Sequence, residues 1–248
     1  MTAPTQARPV VLVSGAARRI GAVIAQTLHA AGHDLALHCR NSRDDLDQLI
    51  ANLERQRANS TLALQADLSD LTQMPALIEA TMQRFGRLDG LVNNASDFFA
   101  TAFGSVTSEQ WDRLFASNAR APFFLAQAAA PQLKKTGGAI VNLLDIYAER
   151  PLAGHSVYCM AKAAQAAMTH ALALELGPEV RVNGVAPGAV MWPEADSDAA
   201  HRAKIIERTP LKRTGQPAEI ADAVLWLLRD ARFVTGQIIR VDGGRFFA

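Results

Sequence analysis

Tyr158 and Lys162 stand four residues apart, and Asp145 precedes the tyrosine by thirteen. On a helix, residues at i and i+4 share a face, so the ammonium comes beside the phenol. A free phenol titrates near pH ~10. Lowering that by roughly three units takes about 4 kcal/mol of differential stabilisation, which a fixed cation supplies. The pair reads as a general acid/base at neutral pH. Asp145 adds a carboxyl group beside it. A carboxylate repels a developing alkoxide, to which a neutral hydroxyl would donate, so Asp145 argues against simple ketone reduction. Reducing a C=N bond requires a proton delivered to nitrogen, which a carboxyl group supplies. Capping a turn is the plainer role open to it.

A second constellation is suited to a nucleotide. The apolar run Val10–Val13 enters Ser14-Gly15-Ala16-Ala17-Arg18-Arg19-Ile20-Gly21, a glycine turn between a strand and a helix. Such a turn presents backbone N–H groups to a pyrophosphate, although plain strand–helix packing also uses glycine. After the second apolar run, an NAD-preferring site places an acid for the ribose hydroxyls. Here the chain reads Leu37-His38-Cys39-Arg40-Asn41-Ser42, with no acid before Asp44. Arg40, with Arg18 or Arg19, suits a 2′-phosphate, and NADPH is the expected cofactor. His38 reads as a strand-end residue on the wall of this site. Asp67, followed by Leu68, is placed to accept from an adenine amino group, and Asn93-Asn94-Ala95 would lie along the cofactor, with Ser96 next.

The elements that must position these residues follow an alternating pattern. Strand-like runs are expected at Val10–Val13, Leu35–His38, Leu62–Gln65, Leu91–Asn93, Ala139–Leu144, Arg181–Val185 and Ile238–Val241. Helical patterns lie near 19–31, 43–57, 72–84, 109–134, 156–176 and 217–229. Short apolar strands separated by helices indicate a parallel sheet covered on both faces. The expected fold is α/β: a single Rossmann-type, doubly wound domain over 9–248, with a seven-stranded sheet. A flexible N-terminus over 1–8 and an irregular substrate loop near 188–215 complete it. The 248 residues are 49% hydrophobic and 20% charged, enough apolar material for one large core. A net charge of +1 gives no basic surplus for nucleic acid. No run of 18 apolar residues suggests a membrane span, and MTAPTQARP lacks the apolar stretch of a signal peptide. Cys39 and Cys159 are expected as reduced thiols in a cytoplasmic protein. The histidines form no metal set, and no metal is expected.

With Gly15…Gly21, Asp67, Asn93-Asn94-Ala95, Asn118, Tyr158…Lys162, Pro187-Gly188 and the closing Val241-Asp242-Gly243-Gly244 in that order, the chain resembles the short-chain dehydrogenase/reductases over about 9–244. That resemblance implies that Asn118 holds a proton-relay water and Tyr158 is the acid/base. It implies that Lys162 binds the nicotinamide ribose and lowers the tyrosine pKa. Three positions depart from the common pattern. Arg19 and Ser96 stand where most members carry glycine, and Asp145 where most carry a catalytic serine. Together with Asn94-Ala95-Ser96-Asp97-Phe98-Phe99, these changes are similar to the pteridine reductase branch and to the dihydromonapterin reductases.

What this implies is an NADPH-dependent reductase of pterins. Phe98 would stack the flat ring against the nicotinamide, as its family counterpart does; a core anchor is the rival role. Arg19 and Ser96 would meet the pterin's polar edge, with Asp145 and Tyr158 beside the reacting atoms. Trp192, flanked by Met191 and Pro193, would roof the pocket or serve a packing contact. The small-residue helix near 161–176 and the resemblance imply a homotetramer, in which the tail Arg245-Phe246-Phe247-Ala248 approaches a neighbouring site. Two other readings stay open: a 3-oxoacyl or sugar-type carbonyl reductase of the same fold, and a protein that binds NADPH without turnover.

Overall fold

The structure, a computed structural model, describes residues 8–192 and 198–248. Seven strands, β1 (Val10–Val13), β2 (Asp34–Cys39), β3 (Thr61–Gln65), β4 (Gly90–Asn93), β5 (Ala139–Leu143), β6 (Arg181–Pro187) and β7 (Ile238–Val241), form one sheet in the order β3-β2-β1-β4-β5-β6-β7. Every pairing is parallel. The expected α/β architecture, seven parallel strands in one Rossmann-type sheet with helices on both faces, is the one observed.

The apolar runs are continuous because both faces of each strand are covered. In β1, Val11 and Val13 enter one core and Leu12 the other. The first core takes α1 (Arg19–Ala30), α2 (Arg43–Gln56) and α8 (Pro217–Arg229), through residues such as Ile24, Leu28, Leu46, Leu53, Val224 and Leu227. The second takes α3 (Met74–Phe85), α5 (Ala121–Thr136) and α6 (Ser156–Leu176), through Leu77, Ile78, Leu125, Leu133 and Leu172. Burying each such side chain fully is worth about 1.5–3 kcal/mol. Among the described residues no helix is long and apolar enough to cross a membrane.

Two stretches differ from the sequence reading. The helix expected over 109–134 is α4 (Ser108–Phe115) and α5 joined by a π-helical turn, Ala116–Arg120. Such a turn widens the helix by one residue and tends to occur at functional sites. The stretch expected as an irregular loop near 188–215 contains α7 (Ala199–Arg208), started by Asp198 accepting the His201 N–H at 2.9 Å. No residue of α7 is fully buried, so its sequence carries no core-facing apolar stripe to announce it. Residues 1–7 of the expected flexible N-terminus, and 193–197 with Pro193, lie outside the described residues.

The sheet order reverses direction between β1 and β4, and their two following segments part there, opening a crevice at the carboxyl edge. The glycine turn after β1 is packed against the segment after β4. Asn94 donates through Nδ2 to the Ser14 and Gly15 carbonyls at 3.0 and 2.9 Å. A Cβ on Gly21 would meet the Gly15 oxygen at 2.2 Å and Asn94 Nδ2 at 2.6 Å. Gly21→Ala is therefore expected to part the turn from Asn94 and cost about 1–3 kcal/mol, the usual range for overpacking. At roughly 2–4 °C per kcal/mol for a chain of this size, Tm should fall by several degrees. An unchanged melting curve would mean the contact is not tight in solution.

Candidate active site

One cleft of about 1020 Å³ runs along the carboxyl edge, from the ends of β2 and β3 to Asp145 and α6. At the nucleotide end it is lined by Gly15, Arg18, Arg19, Ile20 and Gly21 from the turn. Arg40, Asn41 and Ser42 follow from the end of β2, and Asp67 and Leu68 from the end of β3. Asn94, Ala95 and Ser96 from β4 and Pro187 and Gly188 from β6 complete that wall. Its length and its pairing of a glycine turn with a helix N-terminus fit a dinucleotide. Arg18 and Arg40 are half exposed and lie only loosely against acids, Arg18 at 3.6 Å from Asp45 and Arg40 at 3.9 Å from Asp97. Such exposed pairs are weak, so both guanidiniums remain available to an anion. Asp67 accepts the Ser69 N–H at 2.9 Å, and that bond with the Ser69 hydroxyl holds its carboxyl below the usual range, keeping it an acceptor.

His38 also borders the cleft, but both its ring nitrogens are engaged with backbone. Nδ1 accepts the Gly15 N–H at 3.2 Å, which fixes the tautomer with Nε2–H donating to the Ala66 carbonyl at 3.1 Å. Burial lowers its pKa, so the ring stays neutral and braces the glycine turn. Asn93 turns away from the cleft and donates to Asn142 Oδ1 at 2.8 Å.

At the other end, Asp145 follows β5 and both of its oxygens are used. Oδ1 accepts the Tyr147 N–H at 2.9 Å, starting a short 3-10 turn, and Oδ2 accepts the Tyr158 hydroxyl at 2.9 Å. Turn capping and the bond to the phenol are thus served by different oxygens of one carboxyl. Burial raises the Asp145 pKa, opposed by the Tyr147 N–H, the Lys162 charge and the Tyr158 hydroxyl. Tyr158 is 4% exposed. Burial and the Asp145 charge push its phenol well above the ordinary value rather than below it. The expected lowering by Lys162 is outweighed because the ammonium lies 5.9 Å from the ring centre and donates elsewhere, to the Leu143 carbonyl at 2.8 Å and Gln165 Oε1 at 3.1 Å. Tyr158 therefore enters the site as a protonated phenol that hands its hydrogen bond to Asp145.

Of the expected site residues, Asn118 does not border the cleft. It is buried in the π-helical turn, where Nδ2 reaches the Asp97 and Leu114 carbonyls at 2.9 and 3.0 Å and Oδ1 accepts the Ser96 hydroxyl at 2.6 Å. Its side chain ties the loop after β4 to the helix. Phe98, on that loop, is 43% exposed, stacked on His155 at 4.7 Å and set edge-on to Tyr158 at 4.8 Å. It is no core anchor. Trp192 borders the cleft, with its carbonyl accepting from Arg19 at 3.2 Å and Arg202 over its ring at 5.5 Å.

Four neighbours were not expected in this site, Arg245 having been named only with the tail, as approaching a neighbouring one. His155 stacks on Phe98, and its place three residues before Tyr158 was the available signal. Tyr147 and Arg245 meet at 3.0 Å beside Asp145. Arg245 belongs to the tail, which here lies against its own chain, with Arg150 donating to the Arg245 and Phe246 carbonyls. Gln165, three residues past Lys162, is the fourth.

The sequence profile of a family described as enoyl-(acyl carrier protein) reductase matches residues 15–245. The chain belongs to the short-chain dehydrogenase/reductases. It is an oxidoreductase of that family, whose members use a nicotinamide dinucleotide. Pteridine reductase 1 of Leishmania tarentolae is 36% identical, over 98% of this chain and 97% of its own length. A 3-oxoacyl-[acyl-carrier-protein] reductase of Staphylococcus aureus is 32% identical over 95% and 97%. A short chain dehydrogenase of Emericella nidulans is 32% identical over 98% and 99%.

Arg19 has a backbone φ of +54°, a region that favours glycine and costs other residues about 1–2 kcal/mol. From that position its side chain reaches the Trp192 carbonyl at 3.2 Å. Arg19→Gly should therefore fold at least as stably, by up to about 1 kcal/mol after the entropy of the added glycine, while substrate KM rises. A drop in Tm with KM unchanged would assign Arg19 to structure alone.

Proposed function

We propose that this short-chain dehydrogenase/reductase is an NADPH-dependent reductase of pterins. The reading covers dihydropterins to tetrahydropterins, with fully oxidised pterins and dihydrofolate as further candidates. The observation that carries it is Asp145: a carboxyl group raised in pKa by burial, receiving the Tyr158 hydroxyl, at the position facing the cleft. NADPH, when bound, supplies the hydride. Everything else is done by side chains of this chain. Phe98, exposed at the cleft, offers a face to a flat ring. Arg19 and Ser96 offer donors to its polar edge, and Trp192 closes the far side. Asp145 carries a proton to higher pH than an ordinary aspartate, and Tyr158 and Lys162 supply protons behind it. Asn118 holds Ser96 in place. Arg18 and Arg40 would take the 2′-phosphate, and Lys162 the nicotinamide ribose.

The identity to pteridine reductase 1 supports this reading. The identity to a 3-oxoacyl reductase supports carbonyl reduction as the second one, against which stands the carboxyl group where an alkoxide would form. A homotetramer is proposed from the exposed Trp111, Phe123 and Leu174 on α4, α5 and α6, and the cytoplasm from two free cysteines.

Arg40→Asp removes a charge-assisted contact worth about 1.5–3 kcal/mol and adds repulsion. NADPH preference over NADH should fall by at least roughly tenfold, and an unmoved ratio in steady-state kinetics would sink the assignment of Arg40.

The decisive measurement is NADPH oxidation with biopterin, dihydrobiopterin, dihydromonapterin, dihydrofolate and an acetoacetyl thioester, each across pH. Asp145 donates only while protonated. Because its pKa is raised, activity with an oxidised pterin should be highest at mildly acidic pH and fall as the carboxyl ionises. Asp145→Ser should cost roughly 10²–10⁴-fold with the oxidised pterin and remove that limb. Full activity with the same limb in the variant would exclude Asp145 as donor. Turnover of the thioester alone would favour carbonyl reduction.

A further inference from the structure

Part of the buried face of α6 is polar where an apolar stripe would ordinarily pack. Lys162, Gln165 and Thr169 occupy i, i+3 and i+7, a single stripe, and all three are buried. Opposite them on β5 stand the Leu143 carbonyl and Asn142. Lys162 donates to that carbonyl and to Gln165 Oε1. Thr169 donates to the Gln165 backbone carbonyl at 2.9 Å and accepts from Asn142 Nδ2 at 2.9 Å. Around this seam the core is leucine, valine, isoleucine and alanine.

A buried amide is costly unless it is hydrogen-bonded. Gln165 is 1% exposed, and its oxygen accepts from the Lys162 ammonium. An ammonium has three donors. Two of them are held from the sheet side and from one turn further along α6, so the third is directed towards the cleft, where Tyr158 and Asp145 stand. A leucine or methionine at 165 would fill the same volume, but would leave the ammonium a single acceptor and freedom to rotate.

We infer that Gln165 is a positioning residue, whose amide oxygen fixes the direction of the Lys162 ammonium and keeps that nitrogen charged while the Tyr158–Lys162 pair works. This rests on the reading of that pair as the proton supply, and not on the pterin. The charged and titratable groups around Lys162 are few. Asp145 faces it from the end of β5 and favours the ammonium. Tyr158 lies one turn back on α6 with Cys159 beside it, and Tyr147 and Arg245 face Asp145 from the far side. Burial brings Lys162 down to about 8, within reach of the working range. The loss of an acceptor disfavours the charged form of that nitrogen, and the gain of one favours it.

The test uses the full chain with 13C at lysine Cε, following the Lys162 resonance against pH, with Lys162→Met to assign it. The pH profile of kcat with the best substrate is recorded in parallel. Gln165→Met should shift the Lys162 titration down by about one pH unit, the scale of a hydrogen bond to a charged group, and the alkaline limb of kcat should move with it. Gln165→Glu, which restores an acceptor and adds charge, should move both upward past the natural protein. If Gln165→Met leaves the titration unmoved, or lowers Tm while titration and limb stay in place, Gln165 is a structural residue and the inference is overturned. Should Gln165→Met fail to fold, Gln165→Glu decides alone, since an unshifted Lys162 in it is equally fatal. A shifted titration in a protein that oxidises NADPH with no substrate upholds Gln165 and removes the functional reading instead.

Discussion

All seven strands point the same way, so every strand hands over to its following segment on one edge of the sheet. At the reversal between β1 and β4 those segments diverge, and the gap must be lined by whatever the chain places immediately after its strands. The glycine turn, Arg40, Asp67, Asn94 and Asp145 all sit at such strand ends. Their gathering in one cleft follows from parallel pairing alone. The turn itself is held from beneath by His38 and from the side by Asn94, both binding its backbone. A neutral histidine and an amide thus fix the turn's backbone with no cost in charge.

The reacting end is governed by desolvation. Asp145, Tyr158 and Lys162 are all buried at one end of the cleft, and burial moves each towards its neutral form: the carboxyl up, the phenol up, the ammonium down. Their mutual attractions oppose that drift for the carboxyl and the ammonium. The result differs from an isolated tyrosine–lysine pair, because the carboxyl group takes the phenol's hydrogen bond and removes the incentive to ionise. Titration then belongs to the linked set rather than to the tyrosine alone.

Backbone strain appears where chemistry is expected. Arg19 occupies a conformation that glycine adopts without cost, and its guanidinium spans to the Trp192 carbonyl. The π-helical turn around Asn118 serves a comparable purpose, turning an amide inward to tie the loop that carries Ser96 and Phe98. Both features place polar reach at the cleft at the expense of regular structure.

The amino-acid sequence by itself determined the strand and helix order, the parallel doubly wound sheet and the residues at the strand ends, because these depend on local apolar periodicity and on which residue follows each run. It did not reveal α7, which has no core-facing stripe, nor the break in the helix at Ala116–Arg120, which keeps the same apolar pattern on either side. Only the tertiary structure decided that Tyr158 stays protonated against Asp145, that Phe98 faces the cleft rather than the core, and that Lys162 is held by Gln165. Those outcomes depend on burial and on distances between segments far apart in the chain, and neither is written in spacing. A protonation state is set by the water removed around a group, and that quantity exists only once the chain has folded.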